Sequence, residues 1–235
     1  MGRFRLLRLD SVASTQDALA QRARSGEDVS GLVVRALEQT SGRGRRGTAW
    51  ASPRGGSYQS VGLGREAWPW LTLALGVGVA EALSVGVGAG VKVKWPNDLY
   101  LGDGKLGGII AEVVAGQVIA GVGVNVANAP PPGGAALAGA EPEAVSDLVL
   151  AGLERGVALA RDGGEAVRER FASVDALRGR EVSVVVGAER GGEALTGVAV
   201  GVDALGALLV AVAGAGAPVR VTAGHVTSFG RPAGA

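Results

Sequence analysis

A chain of 235 residues, 47% of them apolar, has room for one large domain, or for a medium domain with a small appendage. A net charge of +1 speaks against a dedicated nucleic-acid coat or an acidic-membrane binder. With no cysteine, disulfides, thiolate metal sites and cysteine nucleophiles are excluded. Residues 1–10 hold no apolar core long enough for a signal peptide, and Leu6 stands where a myristoylation signal needs Ser or Thr. The longest uncharged run, 113–140, is broken by Gln117, Asn125, Asn128 and three prolines. No membrane span is expected, and the cytoplasm is the expected location.

In chain order, residues 3–9 alternate as a short strand. Ser14 lies three residues before Asp17, a capping-box spacing that opens a helix over 15–25, stopped by Gly26. Ser14 is its N-cap, and Thr15 and Gln16 at the helix start can present a hydroxyl and an amide to a ligand. Strands are expected at 31–37 and 57–63, and an apolar helix at 68–87 with Pro69 in its first turn. Strands at 91–94, 99–101, 105–114 and 117–126 follow, with hairpin turns at 102–104 and 115–116. A Pro/Gly/Ala-rich loop fills 129–140, and helices fill 142–161 and 165–177. Beyond that lie short strands at 180–186, 194–202, 207–212, 219–222 and 226–229, a small all-β module of SH3-like size. Hairpins mixed with flanking helices indicate an α+β fold, a mixed sheet with helices around it. The expected division is 1–177 for the larger domain and 178–235 for the β module.

Two stretches carry chemistry. The loop 42–56 holds Arg43, Arg45, Arg46 and Arg54 with no acid, and its glycines let backbone approach a ligand closely. Guanidiniums on such a loop suit a phosphate ester, gripped bidentately; a solvated basic loop or a nucleic-acid contact is the alternative. Gly42-x-Gly44-x-x-Gly47 matches a dinucleotide-binding pattern only literally, because no strand runs into it and 48–53 does not open a helix. The second stretch is 94–110. All but three of the 23 basic residues are arginine, and the three lysines are Lys92, Lys94 and Lys105. Lys105 follows Gly104 but precedes Leu106, so it is not a Walker loop. Lys is a compact ammonium that Arg does not always replace. Together with the small-residue strand Gly121-Val122-Gly123-Val124-Asn125, these stretches suit a cleft for a nucleotide and a small substrate, with Lys105 near the reacting phosphate. His225, the only histidine, is read as structural or exposed.

Ser14-Thr15-Gln16, Gly42-Arg43-Gly44-Arg45-Arg46-Gly47, Lys94-Trp95-Pro96-Asn97-Asp98, Lys105-Leu106-Gly107-Gly108 and Gly121-Val122-Gly123-Val124-Asn125 resemble, in order and spacing, the signature of biotin–protein ligases. The resemblance covers 1–177; the rest matches only as a β module of the expected size and place. It implies a class II synthetase-like catalytic domain with a C-terminal SH3-like barrel. It implies biotin and ATP as substrates with Mg²⁺, and a two-step reaction through biotinyl-5′-AMP to a lysine of a biotin carboxyl carrier domain. By the same resemblance Lys105, Arg45 and Asp98 are catalytic, Asp98 receiving the acceptor amine. Ser14, Thr15, Gln16, Gln39, Gly42, Arg43, Arg45, Lys105, Gly108 and Gly121 bind biotin. Arg43, Arg45, Arg46, Trp50, Asn97, Lys105 and Asn125 bind ATP or the adenylate, with Trp50 a lid or a core aromatic. Gln16 stands where Asn is common, and no helix-turn-helix extension is expected, hence no repressor activity. Metal ligands are not assigned. A homodimer is compatible with exposed sheet edges. The rival readings are a lipoate or octanoate ligase of the same fold and a basic-loop nucleic-acid-binding module.

Overall fold

The computed structural model describes residues 4–186 and 194–232; readings made on 1–3, 187–193 and 233–235 lie outside the described residues. The chain runs β1 (Arg5–Val12), α1 (Thr15–Arg24), β2 (Leu32–Gln39), β3 (Ser57–Gly64), α2 (Leu71–Val87), β4 (Val91–Lys94), β5 (Asp98–Leu101), β6 (Gly104–Val114), β7 (Gln117–Val124), α3 (Pro142–Arg161) and α4 (Gly164–Val174). It continues through β8 (Arg180–Val185), β9 (Ala194–Val202), β10 (Leu208–Ala211), β11 (Val219–Val221) and β12 (His225–Pro232). The first seven strands form one sheet in the order β1-β2-β3-β7-β6-β5-β4. Only β1 and β2 pair in parallel, so the sheet is mixed and the α+β reading stands. Among the described residues no helix is long and apolar enough to cross a membrane.

The two faces of this sheet are set by strand alternation. On β7, Val118, Ala120, Val122 and Val124 join the main core with α2 and α3. Ile119 points the other way, into a smaller core with Leu19, Ala20 and Ala23 of α1. Gly121 and Gly123 share that second face. Helix α2 is apolar on nearly every side because the sheet lies beneath it and α3 across it. Glycines let the two helices cross closely: a Cβ on Gly78 would stand 2.2 Å from the Gly152 carbonyl oxygen, and one on Gly156 2.6 Å from Leu75 Cα.

Several boundaries move from the sequence reading. Helix α2 starts at Leu71, because Trp68 and Trp70 form a turn first, with Leu71 N–H donating to the Trp68 carbonyl. Helix α4 ends at Val174, because Asp175 leaves it to pair with Val93 on β4, and its Oδ1 accepts from Leu177 N–H. The second sheet has the order β11-β10-β9-β8-β12 and is antiparallel throughout. β11 and β12 are its edges, so among the described residues the expected barrel is not closed. Trp95 is 2% exposed and donates its Nε1–H to the Gly206 carbonyl of this module.

Candidate active site

The cleft lies on the α1 face of the large sheet, beside Gly121 and Gly123. Gln16 and Trp50 pack directly on these two glycines, because neither carries a side chain. A Cβ on Gly121 would stand 2.6 Å from Gln16 Oε1, and one on Gly123 2.5 Å from Trp50 Nε1. Both of those polar atoms are buried and lack a hydrogen-bond partner. Gln16 Nε2 is engaged, donating to Glu112 Oε2 and the Ile119 carbonyl. Ser14 is the N-cap of α1, its Oγ accepting from Asp17 N–H as the capping box predicts. Thr15 donates its backbone N–H to Gln39 Oε1 at 2.8 Å, and its hydroxyl lies 3.0 Å from Ser60 Oγ. Gln39 Nε2 donates to Ser52 Oγ. The start of α1 and the end of β2 thus share one polar chain.

The arginine loop is a small hairpin. Trp50 N–H donates to the Gly42 carbonyl and Gly44 N–H to the Thr48 carbonyl, around a 3-10 turn at Arg45–Gly47. Arg46 sits there at φ 55° and Gly47 at φ 72°, left-handed positions that a tight reversal needs. Gly42 admits no side chain: a Cβ would meet Ser52 Oγ and the Trp50 carbonyl, each at 2.5 Å. Three of the loop's four arginines are held by the chain's own side chains. Arg43 donates to both oxygens of Glu112, at 2.7 and 2.8 Å, and to Asp17 at 2.8 Å. Those bonds lower the Glu112 pKa, Arg43 being the largest cause, and raise that of Arg43. Arg54 lies 3.7 Å from Glu38. Arg45 alone reaches the opposite wall, donating to Asn97 Oδ1 at 3.1 Å. Burial, and then Arg46 beside it, lower its pKa.

The opposite wall is the β5–β6 hairpin. Asp98 faces Gly108 across the ladder, and the register shifts after Leu99, so that Tyr100 pairs with Lys105. Leu106 is the extra residue of a β-bulge. A bulge reverses side-chain alternation beyond it. Leu106 therefore points into the main core, 0% exposed, and Lys105 turns to the same face as Asp98. Lys105 Nζ lies 2.7 Å from Asp98 Oδ1 and 5.5 Å from the centre of the Trp50 ring. Asp98 is 8% exposed. A Cβ on Gly108 would stand 3.6 Å from Asp98 Oδ1, at ordinary contact distance. Asn97 donates Nδ2–H to the Ile109 carbonyl, which fixes the oxygen that Arg45 uses. Asn125 has left β7 and is committed to the following loop, donating to the Ala135 carbonyl and accepting from Asn128.

The geometry brings together Lys105, Asp98, Arg45, Asn97, Trp50, Gly108 and Gly121, with Thr15, Gln16 and Gln39 at the inner end. Arg46 is exposed at the loop tip, and Arg43 anchors the loop from outside. Residues 9–127 match the model of the Biotin/lipoate A/B protein ligase family. The chain belongs to that family. A biotin--[acetyl-CoA-carboxylase] ligase of Mycobacterium tuberculosis is 37% identical over 114 residues, 43% of each chain. The bifunctional ligase/repressor BirA of Escherichia coli is 37% identical over 107 residues, 43% of this chain and 33% of BirA. The matched segment is thus less than half of these curated relatives. A biotin protein ligase from Aquifex aeolicus, solved in complex with biotin and ATP, superposes with a TM-score of 0.82 at 27% identity. That match covers 98% of this chain and 100% of the other.

Two contacts around this family member's cleft are not legible in the sequence. Glu112 ties Arg43 to Gln16, yet it reads as one more polar residue on a strand. Lys94, 6% exposed, donates to the Val226 carbonyl of β12 at 2.9 Å and lies 5.4 and 5.2 Å from the Tyr100 and Phe229 ring centres. Its motif does not show that it joins the two sheets. No local pattern marks a strand so far along the chain as a neighbour of the 94–105 stretch.

Proposed function

We propose that this chain is an ATP-dependent biotin–protein ligase. It activates biotin as biotinyl-5′-AMP with release of pyrophosphate, then transfers biotin to a lysine of a biotin carboxyl carrier domain. The observation that carries this reading is the pair of orphaned polar atoms over Gly121 and Gly123, the Gln16 Oε1 acceptor and the Trp50 Nε1 donor. A buried polar atom without a partner costs about 1–3 kcal/mol. A ureido ring, with two N–H donors and one carbonyl, matches both. A lipoyl dithiolane or an octanoyl chain matches neither, so the rival substrates of the same family would leave both atoms unpaired.

In the first step a biotin carboxylate oxygen bonds to the α-phosphorus, the bond to the β-phosphate oxygen breaks, and pyrophosphate leaves. The carboxylate is already ionised at neutral pH, so the step needs charge and alignment rather than a base. Lys105 and Arg45 supply the charge at the centre of the cleft. Trp50 covers the product, Asn97 orients Arg45, and Asn125 holds the loop that backs Lys105. Gly42, Arg43 and Arg46 form and anchor the loop. Among the described residues no three His, Cys, Asp or Glu side chains gather as a metal site. Magnesium would enter with the nucleotide as part of the substrate and would neutralise phosphate charge. In the second step Asp98 receives and positions the acceptor ammonium, which must lose a proton before it attacks.

The test is incubation with ATP, Mg²⁺ and either biotin or lipoate, reading pyrophosphate release and retained acyl-adenylate. Biotin is expected to give both; an adenylate formed from lipoate alone would move the reading to the rival substrate. Asp98→Ala is expected to slow transfer to the carrier more than adenylation. Equal loss in both steps would reassign Asp98 to the nucleotide.

A further inference from the structure

One acidic side chain at the inner end of the cleft has no part in the two steps above. Glu112 of β6 faces Ile119 of β7 across the ladder, and two residues nearer the cleft Ile110 faces Gly121. Ile119 enters the core on the α1 face, so Glu112 stands on that face too. Its Oε2 accepts from Gln16 Nε2 at 3.0 Å, and the Ile119 carbonyl accepts from the same nitrogen at 3.2 Å. Arg43 donates to both carboxylate oxygens, at 2.7 and 2.8 Å.

This arrangement decides which way the Gln16 amide lies. A carbonyl and an ionised carboxylate only accept hydrogen bonds, so both require the NH₂ end of the amide. Arg43, and then Gln16 itself, hold the Glu112 carboxyl below its ordinary range, so it carries no proton to donate. Turning the amide over would set Gln16 Oε1 against two acceptors. Oε1 is therefore committed to the other side, 2.6 Å from where a Cβ on Gly121 would stand, buried and without a donor. We propose that Glu112 is a specificity-determining positioning residue: by fixing the Gln16 amide it presents Oε1 as an acceptor that admits a ring N–H and rejects an acceptor atom in the same place. This rests on the biotin reading of the same cleft. A site built around one hydrogen bond discriminates through the group left unpaired, and here also through the repulsion of two facing lone pairs.

The test gives the full chain ATP, Mg²⁺ and one of three acids: biotin, or either of two cyclic carbamates of it in which one ureido N–H is replaced by a ring oxygen. KM for each acid is read from pyrophosphate release. The wild type is expected to discriminate against one of the two carbamates by about ten- to a hundredfold. Glu112→Gln is expected to raise the biotin KM about two- to fivefold and to shrink that ratio about three- to tenfold, because the new amide can donate to Gln16 Oε1 and free Nε2 for the ring oxygen. The change is isosteric and the Glu112 side chain is 37% exposed, so the fold is expected to stand, with the melting temperature as the check. Gln16→Met, which keeps the length and has no acceptor, is expected to bring the ratio close to one. Raised salt weakens the Arg43–Glu112 pair in the wild type and is expected to raise all three KM values alike, leaving the ratio unchanged. A wild type that accepts both carbamates as well as biotin overturns the proposal and leaves the ligase reading standing. So does a Glu112→Gln protein whose KM values rise together, because that is the loop anchor alone, and so does an unchanged ratio in Gln16→Met. A wild type that releases no pyrophosphate with biotin sinks the ligase reading, and the proposal with it.

Discussion

The two walls of the cleft are built differently. The lysine hairpin is part of the sheet: Leu99, Leu106 and Ile109 are fully buried beneath it, and Lys105 exchanges backbone hydrogen bonds with Gly133 and Ala135. The arginine loop stands clear of the core, with only Gly42 and Ser52 buried between residues 40 and 55. Its attachments are polar: Arg43 to Glu112 and Asp17, Gln39 to Ser52, Arg45 to Asn97. A buried Leu or Ile side chain contributes about 1.5–3 kcal/mol, whereas a half-exposed ion pair contributes about 1 kcal/mol or less. The hairpin is therefore the fixed reference of the site. The loop is the wall whose position depends on charge, and on whatever ligand supplies more of it.

The largest expected effect lies on the fixed wall. Lys105→Ala should lower the rate of pyrophosphate release by about a hundredfold or more, the usual size for removing one group aimed at developing charge. Its melting temperature should change little, because the Lys105 side chain is partly exposed. A collapse in stability instead would make Lys105 a structural residue and erase the contrast between the walls.

At the back of the hairpin, Asp175 pairs with Val93, and burial pushes its carboxyl up to about 6, with Oδ2 left unpartnered. The folded pKa is above the unfolded one, so the protein binds more protons when folded. Stability is then lost as pH rises from about 4 to about 6, and the penalty is complete above that window. Asp175→Asn keeps the acceptor for Leu177 N–H and should gain roughly 1–3 kcal/mol at pH 7–8 in denaturant melts. No gain at pH 7–8, or a gain that persists unchanged at pH 4, would show that burial does not strain this carboxylate.

On the arginine wall the effects should be smaller and fall on retention. Arg45→Ala should speed loss of the adenylate about tenfold, leaving the fold intact, since among the described residues its side chain bonds only Asn97. An unchanged off-rate would remove Arg45 from the site. Glu112→Gln should be milder still, about two- to fivefold in biotin KM, by loosening the Arg43 anchor without emptying the space. Raised salt should mimic it in the wild type. If Glu112→Gln matched Arg45→Ala in size, the loop would be held more by its outer anchor than by the cleft.

Much of this was legible in the sequence. The capping box at Ser14, the apolar α2, the hairpin turns and the small-residue strand rest on local chemistry that a linear reading captures. Boundaries failed where a distant partner decided them. Helix α4 stops at Val174 because Asp175 is recruited by β4, and β7 ends before Asn125 because that amide is recruited by Ala135 and Asn128. Among the arginines, sequence grouped four as one cationic loop, while the fold gave three of them internal acceptors.

The sequence by itself determined the parts list: which loop carries guanidiniums, where lysine was kept, and which strand leaves room beside the sheet. Those follow from residue type and short spacing. Only the tertiary structure decided how the parts face one another. Strand alternation alone would put Lys105 and Asp98 on opposite faces, and the bulge at Leu106 brings them to 2.7 Å. Lys94 and Val226 become neighbours only because the second sheet docks on the first, and no local pattern encodes a contact between chain segments so far apart.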